Sequence, residues 1–186
     1  MFRSPYTWTA LVVVLVALQG VKLYVLGQPL ICECGYLKVW EGIVLSSGNS
    51  QHLTDWYTPS HVIHGILFYL GLWFLFPRTP VLFRLFVAAG IEVAWELLEN
   101  SPWIIERYRE QALAQGYVGD SIINSLSDTL AAIIGFLIAW RLPILISIGL
   151  VLALELFVGY MIHDNLLLNI IQLIHPIDAT GEWQAS

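Results

Sequence analysis

Charged residues are scarce in this chain, and their scarcity excludes several classes of protein. Only 12% of the 186 residues are charged, roughly half the share found in an ordinary soluble domain. Lysine and arginine number eight against fourteen acidic residues, so the formal net charge is −6. A nucleic-acid partner is therefore not expected, because such partners require clustered basic side chains. Internal repeats are also lacking, as are the short signatures of serine hydrolases and zinc proteases.

Apolar residues, in contrast, dominate the chain. They make up 58% of it, and the mean hydropathy is +0.72. Five stretches approach the roughly 20 residues that a bilayer crossing requires. We therefore predict an all-α, polytopic transmembrane helix bundle that forms a single integral membrane domain over residues 1–186. The predicted spans are 7–26, 60–76, 81–99, 119–140 and 142–163. The first stretch is too long for a cleaved signal peptide, so we expect it to remain as a helix.

Three shorter segments have the composition of helices that lie at a membrane surface. Residues 35–44 (GYLKVWEGIV) and the segment 101–118 combine apolar, aromatic and charged side chains. The apolar run at 164–176 is too short for a sixth span. We predict a short interfacial helix in each of the first two segments, and an interfacial or re-entrant helix in the third.

The distribution of basic residues indicates an orientation. Loops on the cytoplasmic side of a membrane carry an excess of lysine and arginine. With a cytoplasmic N-terminus, Arg3, Arg78, Arg84 and Arg141 lie inside, whereas Lys38, Arg107 and Arg109 lie outside. The short connections then fall inside and the two long polar loops outside. We predict a multi-pass protein of the cell inner membrane, with its N-terminus cytoplasmic and its C-terminus periplasmic.

Ionisable residues interrupt four of the five apolar stretches at helical spacing. Such residues are costly at membrane depth and usually face the interior of a bundle. Residues three or four apart share one face of a helix, and each group keeps that spacing. The groups are His61 with His64; Glu92, Glu96 and Glu99; Asp120, Asn124 and Asp128; and Glu155 with His163, which are linked at that spacing through Gly159. All four groups fall toward the same side of the membrane, so we expect them to line one pocket.

Carboxylates crowded in a medium of low dielectric constant need a cation, protons or basic partners. Carboxylates mixed with histidine suit Zn, Mn or Fe, whereas sets of oxygen ligands suit Mg or Ca. We therefore predict a divalent metal ion of open identity. The predicted metal ligands are His61, His64, Glu92, Glu96 and Asp128. Glu92, Glu96 and Asp128 are also the predicted catalytic residues, while Asn124, Ser127 and Asp120 are predicted to bind substrate.

Structural roles for the same residues stay open. Glu99, Asp120 and His163 could lie at the water interface, and Asp120 could cap a helix. The leading hypothesis is an enzyme that acts on a lipid or lipid-linked substrate in contact with membrane lipids. The rival is a non-catalytic accessory or assembly protein, or a small transporter, in which the stripes form hydrogen bonds or an ion path.

The two cysteines, Cys32 and Cys34, lie in the segment ICECG. A Cys-x-Cys pair is expected to be too close for an unstrained disulfide. We expect either two ordinary loop thiols or a pair that contacts a metal or undergoes redox chemistry. Neighbouring residues in the sequence do not complete a metal-ligand set.

Three motifs resemble those of a known family. DWYTPSHVIHG, EVAWELLENSPWIIERYR and GDSIINSLSDT are similar to segments of small inner-membrane proteins of unknown function, found mainly in alphaproteobacteria. A more distant resemblance is to the VanZ-like membrane proteins, whose motifs place His61 or His64, the glutamates from Glu92 onward, and Asp120 with Asn124 at matching positions. The first resemblance implies class and location, and the second implies a connection with envelope lipids or the cell wall.

Overall fold

The structure, a computed structural model, describes residues 4–185, so the predicted cytoplasmic Arg3 lies outside the described residues. Within them, eight helices carry almost all of the regular structure. The helices are α1 (Pro5–Leu26), α2 (Thr58–Leu75), α3 (Val81–Glu99), α4 (Pro102–Arg109), α5 (Ile122–Arg141), α6 (Ile144–Ile162), α7 (Leu166–Ile174) and α8 (Asp178–Gln184). Two strands, β1 (Trp40–Glu41) and β2 (Thr54–Asp55), form a short parallel pair. The predicted all-α bundle is confirmed.

Three of the described helices are long and apolar enough to cross a membrane, namely α1, α5 and α6. The chain is therefore built as a helical membrane protein. The helices α2 and α3 have 18 and 19 residues, and they carry the histidines and glutamates singled out above. All five long helices match the predicted stretches, with ends that differ by three residues at most.

Prolines and a glycine mark several helix ends. Pro59 lies in the first turn of α2, where its missing N–H would have had no partner within the helix. Gly27 ends α1 with a φ of 92°, a left-handed conformation that is easy only for glycine. The N–H groups of Gly27 and Gln28 donate to the carbonyls of Tyr24 and Leu23. These bonds satisfy carbonyls that the end of a helix would otherwise leave unpaired.

The closest helix packing joins α2 and α5. A Cβ atom added to Gly65 would lie 1.8 Å from the carbonyl oxygen of Ala132, and one added to Gly135 would lie 2.1 Å from the carbonyl oxygen of Val62. Glycine at both positions therefore lets the two backbones touch, a device common between membrane helices. Beside this contact, the rings of Tyr69 and Phe136 meet edge to face, with centroids 5.2 Å apart.

The long loop between α1 and α2 is fastened to the start of α5. The N–H groups of Ile122 and Ile123 donate to the carbonyls of Pro29 and Leu30. The first N–H groups of a helix lack partners within it, so the loop supplies them. The loop is thereby held over one end of the bundle.

One predicted interfacial helix is wrong, and two are confirmed as helices. Residues 35–44 contain β1 rather than a helix, because Trp40 and Glu41 pair with Thr54 and Asp55 of β2. This pairing joins residues 14 positions apart, which helical periodicity does not reveal. The segments 101–118 and 164–176 contain α4 and α7.

Candidate functional site

The centre of the bundle holds a cluster of histidines and carboxylates. His61 and His64 lie three residues apart on α2 and share a face. Their Nδ1 atoms lie 2.6 and 3.3 Å from one oxygen, Glu92 Oε1, and His64 Nδ1 also lies 3.1 Å from Glu92 Oε2. Glu92 comes from the middle of α3 and has no exposed surface. Two helices thus bring two imidazoles to a single buried carboxylate.

Two further carboxylates extend the cluster toward α5. Glu96 Oε1 lies 3.2 Å from His61 Nδ1, and Asp128 Oδ2 lies 3.9 Å from His61 Nε2. Ser125 donates to Glu96 Oε2 at 2.6 Å, and Thr58 donates to Asp128 Oδ1 at 3.0 Å. All five predicted metal ligands are therefore brought together around His61. Their binding of a metal stays a prediction.

The cluster carries more acidic than basic groups. Glu92, Glu96 and Asp128 are each at most 4% exposed, and ionised carboxylates at such positions need compensation. In the part of the chain that the structure describes, the ion-pair partners of these three carboxylates are His61 and His64. Glu96 Oε1 is buried and has no hydrogen-bond partner. The cluster is therefore suited to take up a cation or protons.

A cavity of about 670 Å³ adjoins the cluster. His61, His64 and Asp128 form part of its polar wall, while Leu67 and Trp95 belong to its apolar wall. The loop before α2, the segment after α4, and α7 contribute the remaining sides. A cavity of this size is within the range of small-molecule and cofactor sites.

Three tyrosines also line the cavity. Their hydroxyls are fixed by acceptors on neighbouring elements. Tyr57 donates to Asp164 Oδ2 at 3.2 Å, Tyr108 donates to Asn169 Oδ1 at 3.1 Å, and Tyr117 donates to Asp120 Oδ1 at 2.8 Å. Burial, followed by the charge of nearby carboxylates, raises the pKa of each tyrosine well above its usual value. All three therefore remain protonated and keep a hydroxyl proton to donate.

Asp120 lines the same cavity but is already engaged. Asn100 Nδ2 donates to Asp120 Oδ2 at 2.6 Å, and the Asp120 N–H donates to Asn100 Oδ1 at 2.7 Å. Burial raises the pKa of Asp120 to about 6, although the hydrogen bonds from Asn100 and Tyr117 oppose that rise. The cap of α5 is the next residue, Ser121, whose hydroxyl accepts from the Asn124 N–H.

The other two predicted substrate residues form hydrogen bonds within the protein, although Asn124 Oδ1 is buried without a hydrogen-bond partner. Asn124 Nδ2 donates to the carbonyl of His52 at 2.8 Å, which holds the long loop against α5. Ser127 donates to the Ile123 carbonyl one turn earlier in its own helix, also at 2.8 Å. Their predicted contacts with substrate stay a prediction.

The polar residues of α6 do not join the cluster, contrary to the expectation from their spacing. Glu155 accepts hydrogen bonds at 3.1 Å from the N–H groups of Leu166 and Leu167, at the start of α7. His163 ends α6 with a φ of 56° and stacks on Trp183, with ring centroids 4.9 Å apart. Glu155 therefore holds the start of α7, and His163 contacts α8.

Of the two expectations for Cys32 and Cys34, that of ordinary free thiols in a loop is wrong. The two sulfurs are bonded, and the Cα atoms are 5.1 Å apart, within the usual range for disulfides. A turn makes this possible, since the Gly35 N–H donates to the Cys32 carbonyl. His52 comes within 4.8 Å of the pair through its ligand atom, although it lies 18 residues along the chain. The reduced pair together with His52 would offer three potential ligands.

Sequence reasoning did not assign a site role to the three tyrosines or to Trp95. The tyrosines lie outside the stripes of ionisable residues, on segments that only the tertiary fold brings to the cavity, whereas Trp95 lies on α3 between Glu92 and Glu99. A usable signal existed, since Tyr57 precedes the helix of the histidines and Tyr117 precedes that of Asp128. Aromatic residues that precede helices with ionisable stripes are therefore candidates for the lining of a pocket.

Taken together, the apolar helices and the buried cluster define a helical membrane protein with a polar centre. A family model described as "Protein of unknown function (DUF2585)" matches residues 23–186. The chain belongs to this DUF2585 family.

Close relatives extend over nearly the whole chain. A UPF0314 protein of Rhizobium meliloti is 53% identical over 184 residues, which cover 98% of this chain and 93% of the relative. One from Sinorhizobium fredii is 51% identical with the same coverage. One from Paracoccus denitrificans is 47% identical over 183 residues, again covering 98% and 93%. The expected relationship to an uncharacterised alphaproteobacterial family is confirmed. No solved structure matches the chain.

Proposed function

We propose that this protein is a metal-dependent membrane enzyme whose substrate is a lipid or lipid-linked molecule. The observation that carries the proposal is the convergence of His61, His64 and Glu92 beside a large, partly apolar cavity. The ion would lie at this convergence, with Glu96 as a further ligand. The cavity would hold the substrate next to it.

The donor set fits a divalent ion. The ligand atoms of His61, His64 and Glu92 all lie within 4.8 Å of one another. Ligands about 2.0–2.2 Å from a zinc ion lie within roughly twice that distance of each other, so small side-chain movements suffice. Glu96 Oε1, which has no hydrogen-bond partner, supplies a fourth donor. Mixed nitrogen and oxygen ligands favour Zn, Mn or Fe over Mg or Ca.

Side chains beside the proposed metal ligands could accept a proton during the reaction. A divalent ion in such a site supplies Lewis-acid activation of water or of a substrate oxygen. Asp128, on the opposite side of the His61 ring from Glu92, is placed to accept a proton at its carboxylate. Thr58 holds Asp128 in position through its hydroxyl. Hydrolysis or transfer of a head group is the reaction class that best suits this arrangement.

The proposed location is the bacterial inner membrane. The helices α2 and α3 cross it with α1, α5 and α6, because their lengths approach the roughly 20 residues required and they pack between those helices. A cytoplasmic N-terminus is supported by Arg78 and Arg141, which follow α2 and end α5. In this orientation the cavity opens toward the periplasmic leaflet. Reporter fusions after Arg78 and Arg141 should therefore read cytoplasmic.

Metal content of the purified full chain tests the proposal. The protein is prepared without chelators and loaded separately with Zn²⁺, Mn²⁺ and Fe²⁺, and bound metal is measured by mass spectrometry. We expect about one ion per chain for a single site with at least one of these metals. Glu92→Gln should lower the affinity for the metal by roughly 100-fold or more, because it removes the carboxylate that lies between the two imidazoles.

Glu155→Gln is the matched control. It makes the same chemical change in a membrane-length helix, but Glu155 bonds the start of α7 rather than the cluster. Its metal content should equal that of the wild type. His64→Gln, at the half-buried edge of the cluster, gives a milder second variant if Glu92→Gln does not fold. Absence of bound metal in the wild type, or equal binding by the cluster variants, would overturn the metal site.

A further inference from the structure

The cavity beside the cluster has walls of two kinds. On one side, α2 and α3 present Leu67, Phe68, Ile91 and Trp95. Leu67 and Ile91 are each 45% exposed, so the apolar wall continues to the outer surface of the bundle between these two helices. An acyl chain could therefore enter the cavity from the surrounding hydrocarbon while its head group stays near the histidines.

The polar wall is rich in acceptors and poor in cations. It includes Glu99, Asp120 and Asp128, and among the described residues none of the side chains that line the cavity is lysine or arginine. Glu92 and Glu96 lie directly behind His61. The described part of this wall therefore has no lysine or arginine to pair with an anionic head group. Each of its carboxylates that is ionised would repel such a head group in a medium where charges interact strongly.

Hydroxyl groups, in contrast, suit the side chains that are present. Tyr108 and Asn169 form a donor and acceptor pair on the wall, and both can exchange partners with a ligand hydroxyl. Trp95 offers an aromatic face beside His64. Asp120 already accepts hydrogen bonds from Asn100 and Tyr117, one at each of its oxygens.

We infer that the cavity selects an amphiphile with an uncharged, hydroxyl-rich head group, such as a glycolipid, and discriminates against anionic lipids. This inference rests on the proposed function, since it names the substrate class of the same site. Because His64, Leu67 and Ile91 line the same cavity, the head group of the amphiphile would lie near His64 and its acyl chain between Leu67 and Ile91.

Quenching of tryptophan fluorescence by brominated lipids tests the inference without requiring turnover. The full chain is placed in phosphatidylcholine nanodiscs that contain either a monoglucosyl diacylglycerol or phosphatidylglycerol, both with the same brominated chains. The difference between the wild type and Trp95→Phe isolates the signal of Trp95 from those of the other seven tryptophans. Trp73→Phe is the control, because Trp73 is 42% exposed on the same helix as His64 and reports surrounding lipid.

We expect the glycolipid to quench the Trp95 signal at a mole fraction about tenfold lower than phosphatidylglycerol does, while the Trp73 signal does not distinguish the two. Equal quenching, preference for the anionic lipid, or stronger quenching by a brominated trimethylammonium lipid would overturn the inference. Native mass spectrometry of the wild type with equal amounts of these lipids provides a readout that needs no variant. Metal content is measured on the same preparations, so loss of lipid selectivity and loss of the metal site are separate results.

Discussion

Two adjacent helices of membrane length, α5 and α6, have opposite surroundings. In the most apolar window of α5, 56% of the residues are buried, compared with 17% for α6. Buried side chains on α5 include Asn124, Ser125 and Asp128, whereas those on α6 are Ser147, Val158 and Gly159. The helix with more polar residues is thus the more enclosed one. In a membrane, polar side chains are drawn to the protein interior, while a uniformly apolar helix can face lipid.

The same contrast separates the roles of their carboxylates. Asp128 on α5 faces His61 and the cavity, whereas Glu155 on α6 caps the start of α7. Both residues sit in membrane-length helices, and both looked equivalent from spacing alone. The difference arises from the neighbouring elements rather than from the helices that carry them.

The largest expected effect concerns the glycines that allow α5 to touch α2. Gly135→Ala places a methyl group 2.1 Å from the Val62 carbonyl oxygen, so the two helices must separate. We expect a loss of about 3 kcal/mol or more in the free energy of unfolding, at the upper end of the range for overpacking. Thermal unfolding in one detergent measures it.

Gly149→Ala on α6 is the matched control. A Cβ at Gly149 would meet no described atom within 4 Å, and alanine favours the helix by up to about 1 kcal/mol over glycine. This variant should melt at or above the wild-type temperature. Equal destabilisation by the two substitutions would contradict the tight contact between α2 and α5.

A smaller effect on stability is expected from the titration of Asp164, which lies in the turn between α6 and α7. Burial raises its pKa to about 6, against the hydrogen bonds from Asn165 and Tyr57. The folded state therefore holds the proton more tightly than the unfolded state does. Stability should fall as the pH rises from about 4 through 6, by on the order of 1–3 kcal/mol.

Asp164→Asn should reduce this pH dependence, because asparagine does not titrate. The comparison is made on melting temperatures of the wild type and variant between pH 4 and 7.5. Asp120 has a pKa shifted in the same direction, so part of the slope should remain. If the melting temperature depended on pH equally in the variant and the wild type, Asp164 would not contribute to the pH dependence of stability.

The smallest expected effect lies at the contact between α1 and α5. Gln19 has no exposed surface; it donates to Ser125 Oγ at 2.8 Å and accepts from Thr129 at 2.9 Å. Gln19→Leu should cost about 0.5–2 kcal/mol, the range of hydrogen bonds between membrane helices. Leu18→Ala, at a neighbouring position that is 57% exposed, should lower the free energy of unfolding by less. A larger loss for Leu18→Ala than for Gln19→Leu would contradict the inward orientation of Gln19.

Helical phase predicted the centre of the site well. The spacing of His61 and His64, and of Glu92 and Glu96, fixes which side chains share a face, and the cost of burying them predicts that those faces point inward. Asp128 followed from the same reasoning. The residues that came together are those on α2, α3 and α5, the helices that pack directly against one another.

Spacing did not predict contacts that depend on distant segments. It could not show that Glu155 would meet the start of α7, or that β1 would pair with β2. It also missed the turn that joins Cys32 and Cys34 and brings His52 beside them. Each of these features depends on how a loop folds back, and local periodicity carries no information about that.

X-ray absorption spectroscopy of the zinc-loaded full chain, prepared with a thiol-free reductant so that Cys32 and Cys34 are available as ligands, separates the two places where a metal could bind. Binding at His61, His64 and Glu92 predicts a first shell of nitrogen and oxygen atoms at about 2.0–2.2 Å, with the scattering pattern of imidazole and no sulfur. Glu92→Gln should abolish that signal. Sulfur scatterers at about 2.3 Å would instead place the ion at Cys32, Cys34 and His52 and contradict a metal centre within the helix bundle.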